Sequence, residues 1–241
     1  MNNTLTILTW NANKASVNRC NFWFKLLEID FDVAALQEVR EIPRFMKKLF
    51  EVIKRGEVAF LINKKSNIKY QKEETSLDSK GCITVKLFLK NKTISITNVY
   101  LWHDKRMFKK FKDIVKYLDN FLRRNKNKQN YAIVCGDFEA DENFRGRYAY
   151  IAKALNDFKE KLKDIGYEDV FSHRKDRGDK NIWTFKVKTK EGVKFYQVDR
   201  FFVPKNLKIL KAELSPPEIL DKYKNEKRIS DHRYILAKIG V

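Results

Sequence analysis

Residues 132–141 read AIVCGDFEAD. The apolar run Ala132–Cys135 makes a buried strand, and the Gly-Asp that follows ends it, leaving the Asp137 carboxylate at its tip. The same arrangement recurs along the chain. LTILTWN (5–11) ends on Asn11, and VAALQE (33–38) ends on Glu38. FYQVDRFF (195–202) carries Asp199, and Asp231–His232 stand just before the last apolar run. Loops at strand ends are where rigid scaffolds place catalytic and binding groups. Taken singly, an Asp after a strand is a turn former or a helix cap. Four carboxylates, one amide and one imidazole on a common rim suit a hard divalent cation, since Mg²⁺ takes oxygen ligands and keeps several waters.

Working outward, the pattern predicts strands at Leu5–Asn11, Val33–Gln37, Val58–Asn63, Cys82–Leu89, Thr93–Tyr100 and Ala132–Cys135. Further strands are expected at Ile182–Val187, Lys194–Val203, Leu207–Leu214 and Tyr234–Ile239. Helices are expected near Phe22–Ile29, Arg44–Phe50, Arg106–Leu122 and Arg147–Ile165. The third is the clearest: Met107, Phe108, Phe111, Ile114, Val115, Leu118, Phe121 and Leu122 follow the 3.6-residue period. Many strands with a few helices between them predict an α/β fold of face-to-face sheets with helices outside.

The chain has 241 residues, 43% of them hydrophobic, enough for a full core and too apolar for a predominantly disordered chain. With 8 Gly and 4 Pro and no repeat or linker, residues 1–241 are expected to form a single domain. Three widely spaced cysteines exclude a paired-cysteine zinc site; Cys82 and Cys135 lie in apolar runs and read as buried, reduced thiols. The N-terminus lacks a signal-peptide pattern and no run of about 18 apolar residues occurs, so an intracellular protein with no membrane span is expected. The net charge of +20 predicts a polyanionic partner.

The segments TWN (9–11), LQEVR (36–40), NVY (98–100), CGDFEAD (135–141), VDRFFV (198–203) and SDH (230–232) together resemble the endonuclease/exonuclease/phosphatase superfamily, the DNase I-like proteins. RGEVAFLIN (55–63) and WTF (183–185) are weaker matches, and the resemblance spans essentially the whole chain. It implies a four-layer α/β sandwich with two central mixed, mainly antiparallel sheets, and a Mg²⁺-dependent phosphodiesterase, with Mn²⁺ as a substitute. It further implies that Glu38 is the principal metal ligand, with Asn11 and Asp231 close to the metal or its waters. His232 would contact the scissile phosphate, Asp199 would support it, and Asp137 would orient or deprotonate the attacking water. Tyr100 would lie near the phosphate or leaving group.

Two positions depart from that pattern. Glu139 stands where the family has Asn, and an ionised Glu accepts hydrogen bonds where an amide can donate. Either Glu139 recruits a cation or it weakens catalysis. Asn13 stands where abasic-site enzymes carry an acid. Subfamily features are divided: LQEVR and VDRF resemble the deoxyribonucleases, whereas Tyr100 resembles the abasic-site class; His103 reads as a loop residue.

The basic charge is uneven. Lys105–Lys128 holds ten Lys or Arg against two Asp, read largely as a solvated helix face and loop. Arg174, Lys175 and Arg177, in the polar loop 173–180, are the first candidates for nucleic-acid contacts, and Arg145 and Arg147 the second. Lys outnumbers Arg 37 to 14, which favours backbone contacts over base reading. The expected partner is DNA, with RNA as a further possibility and no obligate protein partner evident. Two alternatives share these residues: a phosphatase acting on inositol phosphates or phospholipid head groups, and a nucleic-acid-binding module with a decayed site.

Overall fold

Period-two alternation buries both faces of the central strands. In the first strand Leu5 and Ile7 face one core, while Leu8, Trp10 and Ala12 face another. The computed structural model describes residues 4–75, 77, 81–90, 92–101, 106–125, 130–172, 182–190, 192–220 and 229–240, with the side chains of 106, 107 and 147 set aside. In chain order the elements are β1 (Thr4–Ala15), α1 (Cys20–Leu27), β2 (Val33–Val39), α2 (Arg44–Leu49), β3 (Phe50–Arg55) and β4 (Val58–Asn63). Next come β5 (Lys69–Glu73), β6 (Cys82–Leu89), β7 (Lys92–Tyr100), α3 (Arg106–Arg124), β8 (Asn130–Asp137), α4 (Ala149–Asp164) and β9 (Tyr167–Asp169). The last are β10 (Phe185–Thr189), β11 (Gly192–Tyr196), β12 (Asp199–Pro204), β13 (Ile209–Leu214) and β14 (Ile235–Gly240).

Two six-stranded sheets form, ordered β13-β14-β1-β2-β4-β3 and β5-β6-β7-β8-β12-β9, beside the β10–β11 ribbon. Each has one parallel pair at its centre, β1/β2 and β7/β8; its other pairs are antiparallel. A helix, α1 or α3, lies in each parallel crossover, as parallel strands require. One core joins the inner faces, with Ile7, Val33 and Phe60 of the first sheet against Val85, Ile96 and Ile133 of the second. A second core packs Trp10 against Phe22 and Trp23 of α1, and a third packs Val134 and Phe202 against α3 and α4. The result is the expected four-layer sandwich: helices, sheet, sheet, helices.

A buried polar clasp joins the sheets two residues before the ends of β2 and β7. Gln37 Nε2 donates to Asn98 Oδ1 at 2.7 Å, and Asn98 Nδ2 donates to the carbonyls of Leu36 and Ala59 at 2.9 and 3.0 Å. These bonds in a low-dielectric core fix the register of one sheet against the other, although the buried Gln37 Oε1 has no hydrogen-bond partner among the described residues.

The expected strand Lys194–Val203 is two strands in two sheets. The chain leaves β11 at Tyr196 because Thr184 Oγ1 accepts the N–H groups of Val198 and Asp199, and the Val198 carbonyl accepts from Phe138 N. β3, β5 and β9 are additional to the expected strands. Cys82 and Cys135 are buried and free, as read, and Cys20 is exposed. No helix among the described residues is long and apolar enough to cross a membrane.

Candidate active site

The two parallel pairs end on the same side of the sandwich, and their last residues converge. Asn11 of β1, Glu38 of β2, Tyr100 of β7 and Asp137 of β8 all lie at or near carboxyl ends of their strands. β12 runs antiparallel to β8, so its first residue, Asp199, pairs with Asp137 in register. His232 lies three residues before β14 and joins Phe185 in an isolated bridge.

Hydrogen bonds tie these groups together. Asn11 Nδ2 spans two carboxylates, donating to Asp137 Oδ2 at 2.8 Å and to Glu38 Oε1 at 3.2 Å, while its Oδ1 accepts from Asn13 N at 2.8 Å. The Tyr100 hydroxyl donates to Glu38 Oε1 at 2.9 Å. Asp137 Oδ1 accepts from Glu139 N at 2.8 Å. His232 Nδ1 lies 2.8 Å from Asp199 Oδ2, and both residues are buried. Asp199 is held in turn by its own N–H on Thr184 Oγ1 at 3.0 Å.

The local electrostatics follow from burial and crowding. Burial opposes the His232 cation, but Asp199, Asp137 and Asp231 together overcome it and push the imidazole up to about 10. Asp137 is fully buried and lies beside Glu139 and Asp199, which lifts its carboxyl well above the usual range against the opposing pull of His232 and Asn11. Burial, and then Glu38, push the Tyr100 phenol upward, so it remains a donor.

The carboxylate oxygens of this rim fit a hard cation, whereas His232, held cationic, would not ligate one. Asp137, Asp199 and His232 form a group whose ligand atoms lie within 4.8 Å of one another. Asp199 Oδ1 is buried without a hydrogen-bond partner among the described residues, an oxygen suited to a cation, a water or a phosphate-bound proton. Within the group the imidazole Nδ1 is already engaged with Asp199. Both hydrogen bonds described for Glu38 fall on Oε1, which leaves its second oxygen for a ligand role.

The rim also contains left-handed backbone at Asn13, Lys14, Glu38 and Glu139, with φ of 47°, 59°, 52° and 50°. Residues other than glycine reach this region at a cost of order 1 kcal/mol, Asn more easily than Glu, and such strain gathers at functional sites. Replacing Glu139 by Asn is therefore expected to stabilise the protein by about 1 kcal/mol in urea unfolding, through relaxed backbone and loss of a charge beside Asp137. An unchanged or lower midpoint would count against that account.

Among solved structures, the endonuclease domain of TRAS1, a telomere-specific non-LTR retrotransposon, is 13% identical with a TM-score of 0.70, over 98% of this chain and 99% of that one. TDP2 of D. rerio complexed with single strand DNA product is 16% identical at TM-score 0.62, over 99% of both chains. The 3′ phosphatase NExo from Neisseria, bound to product DNA hairpin, is 14% identical at TM-score 0.68, over 97% of this chain and 98% of that one. No family model and no curated protein matches the sequence.

The chain has the DNase I-like fold.

Within this DNase I-like frame the structure brings together Asn11, Glu38, Tyr100, Asp137, Asp199 and His232 by direct contact or register. Asp231 precedes His232 and acts electrostatically on it. Glu139 lies beside Asp137 and Tyr100. Arg145 is exposed, and its guanidinium donates to the carbonyls of Glu142 and Phe144 in its own loop. Arg174, Lys175, Arg177 and His103 lie outside the described residues, as does the side chain of Arg147.

Sequence reading did not assign functional roles to Thr184, Ser230 and Arg19. Thr184 lies in the WTF segment and Ser230 in SDH, so both stood next to a signal. Arg19 lies in the polar stretch SVNRC with nothing to mark it.

Proposed function

We propose that this protein is a Mg²⁺-dependent phosphodiesterase, an endonuclease that nicks DNA with little sequence selectivity, working as a single domain. The observation that carries the reading is the convergence of Asn11, Glu38, Tyr100, Asp137, Asp199 and His232 where the two parallel strand pairs end. A net charge of +20 supports a polyanionic substrate, and the DNA products named with the TDP2 and NExo structures support DNA.

Glu38 and Asp231 would hold the metal. Asn11, whose amide is divided between Glu38 and Asp137, keeps Glu38 in place beside it. When bound, the ion supplies Lewis-acid polarisation of the phosphoryl oxygen and charge for the leaving oxyanion. His232, held cationic by Asp199, supplies a second positive charge to the phosphate. Asp137 takes the proton of the attacking water: burial and the neighbouring carboxylates raise its affinity for a proton, and Asn11 Nδ2 and Glu139 N–H fix its orientation. Tyr100 spends its one O–H on Glu38 Oε1 and so orients that carboxylate beside the phosphate. Arg145, Arg147, Arg174, Lys175 and Arg177 are the candidates for backbone phosphates.

One gel tests the reading. Supercoiled plasmid is incubated with Mg²⁺, with Mn²⁺ and with chelator, beside Glu38→Ala. Nicking by the wild type with metal, lost in chelator and in Glu38→Ala, is the expected result. Retarded but intact DNA under every condition would favour a binding module, and phosphate release from small esters alone would favour a phosphatase. We assign Glu139 to the metal side of this chemistry. Glu139→Asn is accordingly expected to nick more slowly, by about tenfold, and to need more Mg²⁺. A large gain in rate would sink that assignment.

A further inference from the structure

Arg19 stands between β1 and α1, and its backbone is fixed by the helix it starts: its carbonyl accepts from Phe22 N at 3.1 Å. Its side chain does not cap that helix. The guanidinium instead reaches across the rim, where Nη1 donates to the carbonyl of Asn13 and Nη2 to that of Ile229 at 2.7 Å. Asn13 lies two residues beyond Asn11, and Ile229 two residues before Asp231. Two further bonds continue this ladder between the end of β1 and the segment carrying His232. Ser230 Oγ donates to the Asn11 carbonyl at 2.7 Å, and Trp10 Nε1 donates to the His232 carbonyl at 2.9 Å.

We propose that Arg19 is a positioning residue that clasps the Asn11–Asn13 end of β1 to the Ile229–His232 segment and fixes a positive charge beside Glu38 and Asp231. The assignment of Glu38 and Asp231 to a metal rests on the function proposed above; the clasp does not. Two carbonyls, one at the end of β1 and one in the segment before β14, hold the guanidinium by its planar fork, a geometry that a lysine ammonium, a compact point charge on a flexible stem, does not reproduce. Burial disfavours the Arg19 cation, while Asp231 and Glu38 act on it as attractive charges. A cation held there keeps two carboxylates in place while no metal is bound, and a divalent ion must then bind against its repulsion.

The test compares wild type, Arg19→Met and Arg19→Lys by Mn²⁺ titration with electron paramagnetic resonance and by amide exchange in chelator. Arg19→Met is expected to bind Mn²⁺ about three- to tenfold more tightly, because a repulsive charge is gone, while Arg19→Lys remains within about twofold of wild type. Both should speed exchange at the Asn13 and His232 amides by at least about fivefold, because neither can bridge both carbonyls. A purely structural residue would not separate Met from Lys in metal affinity. Unchanged exchange in both variants would overturn the clasp, and a Met variant binding Mn²⁺ no more tightly than wild type would overturn the charge role. Should Arg19→Met fail to fold, Arg19→Lys still decides the clasp by exchange, and Arg19→Gln replaces Met in the titration. A wild type that takes up no Mn²⁺ counts against both the metal reading and the charge role, whereas the exchange measurement judges the clasp independently.

Discussion

His232→Ala is expected to lower the rate of plasmid nicking at least about a thousandfold, with the melting temperature of the metal-free protein reported alongside. The imidazole is buried, it lies 2.8 Å from Asp199, and three carboxylates overcome its desolvation, so it enters the reaction as a cation already in place. Losing it removes charge from the point where the transition state gains charge, in a site where water cannot substitute. Asp199→Asn keeps the shape and removes the partner charge; its nicking should fall about a hundredfold or more, and the His232 proton affinity should fall with it. The sign with pH follows from the raised value. A histidine near 10 in the folded state and 6.5 unfolded stabilises the fold fully below 6.5, loses that contribution as pH rises, and has none left above about 10. An NMR titration of His232 in chelator should therefore place its midpoint near 10 in wild type and lower in Asp199→Asn. Nicking by His232→Ala at a rate near wild type would remove this residue from the mechanism.

The site residues are legible in the sequence because each stands at a polar break beside an apolar run. Asn11, Asp137 and Asp199 are almost fully buried, and nothing about turn formation demands that. The two parallel pairs are less legible, since continuous apolar runs say that both faces are covered but not which strands lie side by side. β3 follows α2 with no breaker between Leu49 and Phe50, so FEVIKR extends a helix on paper and pairs with β4 in the fold. β5, KYQKE, is too polar to announce itself, as an edge strand with solvent on one side can be. The 194–203 run fails differently: its composition is that of one strand, and a single hydroxyl, Thr184, taking two N–H groups, decides where it breaks. Arg19 was invisible for the same kind of reason. The two acceptors described for it are backbone carbonyls, one of them 210 positions away, and a carbonyl leaves no mark in a sequence.

Gly136→Ala is expected to destabilise the protein by at least about 3 kcal/mol in urea unfolding, and to abolish nicking in whatever fraction folds. The glycine of the CGDF segment serves the sheet as its Asp serves the site. Gly136 pairs with Val99 in the parallel β7/β8 ladder and has φ of 137°. A Cβ there would lie 2.0 Å from the Val99 carbonyl oxygen and 2.8 Å from its nitrogen. Both are backbone atoms, so no side chain can rotate away; the strands themselves must part. The residues on either side of the gap are Tyr100 and Asp137, register partners at the tips of β7 and β8. Parting them would pull Asp137 from the amide of Asn11 and Tyr100 from Glu38, so folding and chemistry should be lost together. Gly240→Ala is the control, because its added carbon would meet nothing nearer than Lys208 Cβ at 3.5 Å, and its midpoint should remain within about 0.5 kcal/mol of wild type. A Gly136→Ala protein with the wild-type midpoint would mean that the two strands approach less closely than this geometry requires, and the placement of Asp137 against Tyr100 would have to be abandoned with it.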